Sequence, residues 1–183
     1  MNVKYTVPGL STDQVNDLVA SLQARLSAYN DLHLTLKHVH WNVVGPHFIA
    51  VHEMIDPQVE LVRGYADDVA ERIATLGGSP KGTPGSVVAD RTWDDYSVGR
   101  DTALAHLGAL DLVYNGVVED NRKAIALAGE LDPITEDLLI GQTAELEKFQ
   151  WFVRAHLEDI GGRLSTTGAT SEHDATDAAR TDG

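Results

Sequence analysis

Apolar residues return every three or four positions through four long stretches of this chain, and glycine and proline punctuation cuts the stretches apart. That spacing lays a continuous apolar stripe along one face of a helix and gives a strand no consistent inner face. From Ser11 to Val44 the stripe is Val15, Leu18, Leu22, Leu26, Tyr29, Leu32 and Leu36, with Ser11 or Thr12 as natural N-cap. Gly45-Pro46 breaks it. A second run extends from about His47 to Leu76 and ends at Gly77-Gly78. Pro57 lies inside it, where a kink or local irregularity is expected, because the rhythm continues through Val59, Leu61, Val62, Tyr65 and Val69. A third run, Val98 to Ala128, stops at Gly129. Asp132-Pro133 then supplies a cap and a first-turn proline for a fourth helix, which is expected to reach Ile160 before Gly161-Gly162.

Two helical hairpins with short turns, joined by one long crossover from Gly77 to Ser97, form an all-α plan. It is the ferritin-like variant of the four-helix bundle rather than the simple up-down form. Within the crossover, Trp93-Asp94-Asp95-Tyr96 is more aromatic than a flexible linker needs, so a short helical turn packed on the rest is expected there. A chain of 183 residues suits one domain. It divides into an N-terminal extension (1–10), the bundle (11–162) and a flexible acidic C-terminal tail (163–183).

Charge narrows the partners. With 28 acidic and 14 basic residues the formal charge is -14, which repels polyanions and favours cations. Cysteine is absent, so a bound metal is held by imidazole, carboxylate, carbonyl or water, a donor set suited to iron, manganese or magnesium. No secretory pattern opens the sequence and no segment is apolar for a bilayer's thickness, so no membrane partner and a cytoplasmic location are expected, on the nucleoid if DNA is bound.

His52, Asp56, Asp67 and Glu71 fall within an arc of about 100° on one face of the second helix. The first two are nevertheless separated from the last two by roughly 16 Å along the axis, too far for one metal or a close pair. The four positions are symmetric about Leu61 and Val62, so two antiparallel copies of the helix on a dyad set His52 against the second copy's Glu71, and Asp56 against its Asp67. His40, four residues after Leu36 on the inward stripe of the first helix, reaches the second helix across the hairpin. The candidate site is therefore His40, His52 and Asp56 from one subunit with Asp67 and Glu71 from another, an N/O set suited to iron. His33, His38, His47, His106, His156 and His173 have no carboxylate partner that spacing identifies.

The segment from His40-Trp41 through His52-Glu53-Met54-Ile55-Asp56, followed by Asp67 and Ala70-Glu71-Arg72, strongly resembles the Dps family, the DNA-protection-during-starvation proteins. Lys148-Phe149-Gln150-Trp151-Phe152 and the order of the helices extend the likeness over residues 10–162. The resemblance implies a dodecameric homo-oligomer built from two-fold dimers, with a ferroxidase centre between subunits. It further implies Fe2+ as substrate, hydrogen peroxide as preferred oxidant and a ferric oxide mineral core. His40, His52, Asp56, Asp67 and Glu71 match the family's ligands one by one, and Trp41 matches a tryptophan that intercepts stray oxidising equivalents. Asp137 matches a pore-lining acid at the family's three-fold channel, with Asp132 and Glu136 beside it.

Two departures bear on function. Residues 1–12 offer only Lys4, and from Gly162 onward Arg163 and Arg180 face Glu172, Asp174, Asp177 and Asp182, which argues against direct DNA binding. Glu-x-x-His, the in-bundle di-iron signature, is absent, and His52-Glu53 lacks the second histidine of a zinc-protease motif because Asp56 stands there. The rival readings are a metal-dependent hydrolase on the same His/carboxylate site and a structural DNA-packing protein.

Overall fold

The structure, a computed structural model, describes residues 3–181. Its elements are α1 (Thr12–Asn42), β1 (Val43–Val44), α2 (Phe48–Thr75), α3 (Pro84–Asp90), β2 (Asp101–Thr102), α4 (Ala103–Leu131), α5 (Pro133–Arg154) and α6 (Glu172–Thr181). None of these helices is long and apolar enough to cross a membrane. The chain forms two compact units, and every long helix contributes a stretch to both.

The first unit holds residues up to His33, Glu60–Asp94 and Glu119–Thr143. Its core is the expected stripe of α1, Val15, Leu18, Leu22, Leu26, Tyr29 and Leu32, with Val62, Tyr65, Val69, Ile73 and Leu76. Ser11 caps α1 in a reciprocal box: Gln14 N–H donates to Ser11 Oγ (3.3 Å) and Ser11 N–H to Gln14 Oε1 (3.0 Å). The other end of α2 closes in a Schellman turn, Gly78 N–H on Ile73 O and Gly77 N–H on Ala74 O, both 2.9 Å. Glycine is required at 77, where φ is +87° and a Cβ would meet the Tyr5 carbonyl. Buried Asn121 accepts from Arg25 Nη1 and donates to Tyr29 Oη and Thr143 Oγ1, so one amide ties three helices.

The crossover corrects one expectation. Its short helix is α3, residues 84–90, begun by Pro84, while Trp93–Tyr96 is not helical. Trp93 anchors the strap by donating its indole N–H to Asp31 (2.8 Å), which also pairs with Arg91 (3.2 Å).

The second unit holds Leu34–Val59, Asp95–Val118 and the chain from Ala144 onward. Leu36, Val39, Val51, Ile55, Leu107, Leu110, Tyr114, Leu146 and Val153 form its core. The α4 helix starts at Ala103 rather than Val98, because Asp101 and Thr102 pair in parallel with Val43 and Val44. At its other end, in the first unit, α4 passes through Gly129 to Leu131. The α5 helix stops at Arg154, short of Ile160, and the chain turns back in a bridge between Glu158 and Leu164. Buried Asp111 holds this return by accepting from Gln150 Nε2, Arg154 Nε and Thr166 Oγ1.

The tail corrects a second expectation. Its polar composition suggested a flexible segment, yet residues 172–181 form α6, capped by Ser171. Ala175, Thr176 and Ala179 are buried against α4, where Gly108 leaves no Cβ in the way. Glu172 accepts from Ser97 N–H and Oγ (both 2.8 Å), Thr176 Oγ1 donates to Ala105 O (3.3 Å), and Arg180 pairs with Asp101.

Candidate metal centre

Three of the five candidate ligands are brought together by the hairpin between α1 and α2. The Gly45 turn, φ +96°, reverses the chain and sets the last turn of α1 beside the first turns of α2. His40 and His52 stack there, ring centroids 3.6 Å apart and planes at 22°, with Phe48 4.8 Å from the His52 ring. Each ring is tied to the other residue's backbone: His40 Nδ1 lies 3.0 Å from His52 O, and His52 Nδ1 lies 2.9 Å from His40 O. His40 Nδ1 is also 3.1 Å from Asp56 Oδ1. Every one of these partners accepts, so both Nδ1 atoms must donate. In that tautomer both Nε2 atoms keep their lone pairs for a metal.

Asp56 lies one turn beyond His52 on α2 and accepts from Lys37 Nζ at 2.8 Å. Its carboxyl is held below the usual carboxylate range, first by the Lys37 bond and then by the nearby charges of His40, Lys37 and His52, against an opposing desolvation effect. Lys37 is one turn before His40 on the same side of α1, a spacing that would have flagged it had its partner been known.

Asp67 and Glu71 belong to the other unit. Both are exposed on α2, and neither forms a hydrogen bond or ion pair among the described residues. Beside Glu71, Arg72 turns the other way: it bonds Thr135 Oγ1 (3.0 Å) and pairs with Asp132. Among the described residues no three His or carboxylate side chains converge as a metal site within one chain. Trp41, next to His40, is 70 % exposed.

Of the three acids at the start of α5, Asp132 has a structural job. Buried at 4 %, it accepts from the backbone of Ile134 and Thr135, from the Thr135 hydroxyl and from Arg72, which makes it an N-cap rather than a free pore carboxylate. Asp137 is exposed and Glu136 half-buried, its carboxylate lying against Gly129.

The ferritin-like domain family matches residues 19–162. The DNA protection during starvation protein of Mycolicibacterium smegmatis is 69 % identical over 96 % of both chains. The chain belongs to the Dps family. Solved Dps structures agree in fold: that of Mycobacterium smegmatis Dps superimposes with a TM-score of 0.90 at 69 % identity over 93 % of this chain and 97 % of its own. DpsA14 from Streptomyces coelicolor gives 0.88 at 67 % identity over 90 % and 99 %. This Dps-family chain is thus an all-α ferritin-like bundle with α3 between α2 and α4. Two polar arrangements in it escaped the sequence reading, the Lys37–Asp56 pair and a tyrosine–histidine pair, Tyr96 with His106. Both join residues remote in sequence through backbone turns that periodicity does not encode.

Proposed function

We propose that this chain is one subunit of a dodecameric shell that oxidises ferrous iron with hydrogen peroxide at sites shared by two-fold partners and stores the ferric product inside. The observation that carries the reading is the division of the ligand set. His40 of α1 and His52 and Asp56 of α2 are gathered with both imidazole Nε2 atoms free, while Asp67 and Glu71 stand exposed and unpaired among the described residues, further along α2. An antiparallel second copy of α2 would supply the missing carboxylates. Exposed Trp41, Phe48, Ile49, Ile134 and Trp151 support burial of further surface between copies.

At such a site two ferrous ions each give one electron to one peroxide molecule, whose O–O bond breaks to leave two hydroxide ions. Carboxylates favour the ferric product over the ferrous substrate by their charge. His40 and His52 orient the ions through rings fixed by the carbonyl bonds, and Lys37 keeps Asp56 ionised until iron takes its place. Ferric hydrolysis then seeds the mineral. Exposed Asp137, with Glu136, is the proposed lining of the entry pore. The charge of -14 disfavours duplex contact, so protection of DNA follows from removing iron and peroxide.

The test mixes two variants, one lacking His40 and His52 and the other lacking Asp67 and Glu71. Each alone is expected to oxidise iron poorly. In a mixed two-fold dimer both defects fall in one site and the other is intact, so co-assembly restores part of the activity. Correctly assembled mixed shells with no recovered ferroxidase activity would refute the shared site.

A further inference from the structure

The face of α2 that carries His52, Asp56, Asp67 and Glu71 also holds an ion pair that the metal centre does not use. At ~100° per residue Glu60 and Arg63 fall inside the same arc. Arg63 Nη1 donates to both oxygens of Glu60, at 3.0 and 3.3 Å, and both side chains are exposed. As a surface pair within one helix it contributes little to the stability of its own chain. Its position carries more. Glu60 and Arg63 are symmetric about the midpoint between Leu61 and Val62, the same midpoint that relates His52 to Glu71 and Asp56 to Asp67. Two antiparallel copies of α2 on that dyad place Glu60 opposite Arg63 of the partner subunit, and the contact is made twice. Helix axes that pack ~8–10 Å apart leave a gap that these two long side chains span.

The charge of the face makes this contact count. Apart from Arg63 the ionised residues of the arc are Glu53, Asp56, Glu60, Asp67 and Glu71, so without the arginine two copies would present only acid to each other. Lys37 answers Asp56 from α1 at 2.8 Å, and Arg72, the other arginine of α2, is committed to Thr135 and Asp132. On the dyad Glu53 falls opposite Ala70 of the partner subunit, so no like charges outside the ligand set meet. Both bonds from Arg63 to Glu60 use Nη1, and a guanidinium has five N–H donors, so Arg63 can take a second carboxylate without releasing the first. A closed ring of alternating charges results at the dyad.

We propose that Glu60 and Arg63 lock the two-fold dimer: each pairs with its opposite in a second copy of this chain, in the register that brings Asp67 and Glu71 of the partner subunit to His52 and Asp56. The proposal rests on the shared-site reading above. Glu60 and Arg63 touch no metal. They are positioning residues, and their loss acts on association before it acts on chemistry.

The test uses full-length Glu60→Arg, Arg63→Glu and the double variant, read by light scattering and native mass spectrometry at low salt, where surface charges are least screened. His33 of α1 also senses both charges; burial and then Arg63 hold its pKa below the ordinary histidine value, so it is neutral at about pH 8, the condition chosen. Each single variant sets like charges opposite each other at both contacts and is expected to lose its shell on dilution at about tenfold higher concentration than the wild type. Mixed, the two variants restore an arginine opposite a glutamate at both contacts. Mixed dimers are then expected to outnumber either homodimer by about tenfold, where random pairing gives about twofold. The double variant keeps an oppositely charged pair within its own helix, so it assembles alone, yet it should exclude wild-type chains from its dimers. Single variants that assemble like the wild type, or pair at random when mixed, overturn the lock. If circular dichroism shows a single variant unfolded, the double variant decides, and free pairing with the wild type overturns the lock. Iron oxidation on the same samples separates the two readings: recovered mixed shells without it overturn ferroxidation and leave the lock standing.

Discussion

Placing a single methyl group at Gly108 sets two opposed energies against each other, and the geometry decides the sign. A Cβ built there falls 2.5 Å from the carbonyl oxygen of Ala175 and 2.9 Å from Ala179 Cβ, both on α6. Carbon–oxygen contacts settle near ~3.3 Å, so α6 must withdraw by about 0.8 Å or detach. Overpacking of this kind costs ~1–3 kcal/mol, while alanine in place of glycine inside α4 returns up to ~1 kcal/mol of helix propensity. The propensity gain stays with α4 whether or not α6 is docked, so the overpacking cost of ~1–3 kcal/mol falls on the docking of α6. A free helix of its ten residues would be marginal, and its Thr176 bond to Ala105 O, already 3.3 Å, fails first. Gly116→Ala is the control, because a Cβ there meets nothing within 4 Å and only the propensity gain remains. Hydrogen exchange read by mass spectrometry on α6 peptides is expected to accelerate by roughly fivefold for each ~1.0 kcal/mol lost in Gly108→Ala. It should stay at the wild-type rate in Gly116→Ala. Equal α6 exchange in the two variants would refute the close packing of α6 on α4.

Lys37→Met is expected to tighten binding of a divalent ion at the centre, at most a few-fold because the Lys37–Asp56 pair is half exposed; anaerobic calorimetry giving weaker binding would show that the lysine assists instead of competing. Asp132→Ala removes a cap and leaves Arg72 without its carboxylate, a loss of about 1–3 kcal/mol that lowers the thermal midpoint. Burial raises the Asp132 pKa, but the Thr135 and Arg72 bonds outweigh it and the net shift is downward. Its contribution is therefore complete above the unfolded pKa near ~3.9 and lost as pH falls through the folded value, so an acid titration of wild type and Asp132→Ala should converge only at the low end.

The α1 and α2 helices were legible because each carries its core on a long unbroken stripe, and because Ser11 and Gly77-Gly78 are punctuation with one structural meaning. Where the sequence reading overran, as at Arg154, the apolar rhythm persisted locally: Leu157 is buried although the chain has left the helix and returns through its bridge to Leu164. The α6 helix was illegible for the opposite reason. Its buried face is made of Ala175, Thr176 and Ala179, residues too small and too polar to write a stripe, and their burial depends on a glycine in another helix.

The candidate centre divides in the same way. Positions symmetric about the middle of α2 are a property of one helix, so the sequence alone pointed to His52, Asp56, Asp67 and Glu71. The state of the rings is a property of the hairpin: the His40–His52 exchange of Nδ1 bonds exists only because the turn at Gly45 brings two carbonyls opposite two imidazoles. That exchange bears on affinity as well as position. A neutral imidazole has one donor and one acceptor, and committing both Nδ1 protons to backbone leaves the two acceptors available together. At the proposed site the rings would not need to reorient for a metal ion, and the ordering cost of binding would be reduced accordingly. Asp67 and Glu71 show no such preparation within the chain, for exposed carboxylates on a helix are also what a solvated face looks like. Their separation from an ordinary surface rests on symmetry with His52 and Asp56, which is why recovery of activity in mixed shells, rather than any single substitution, decides whether they are ligands.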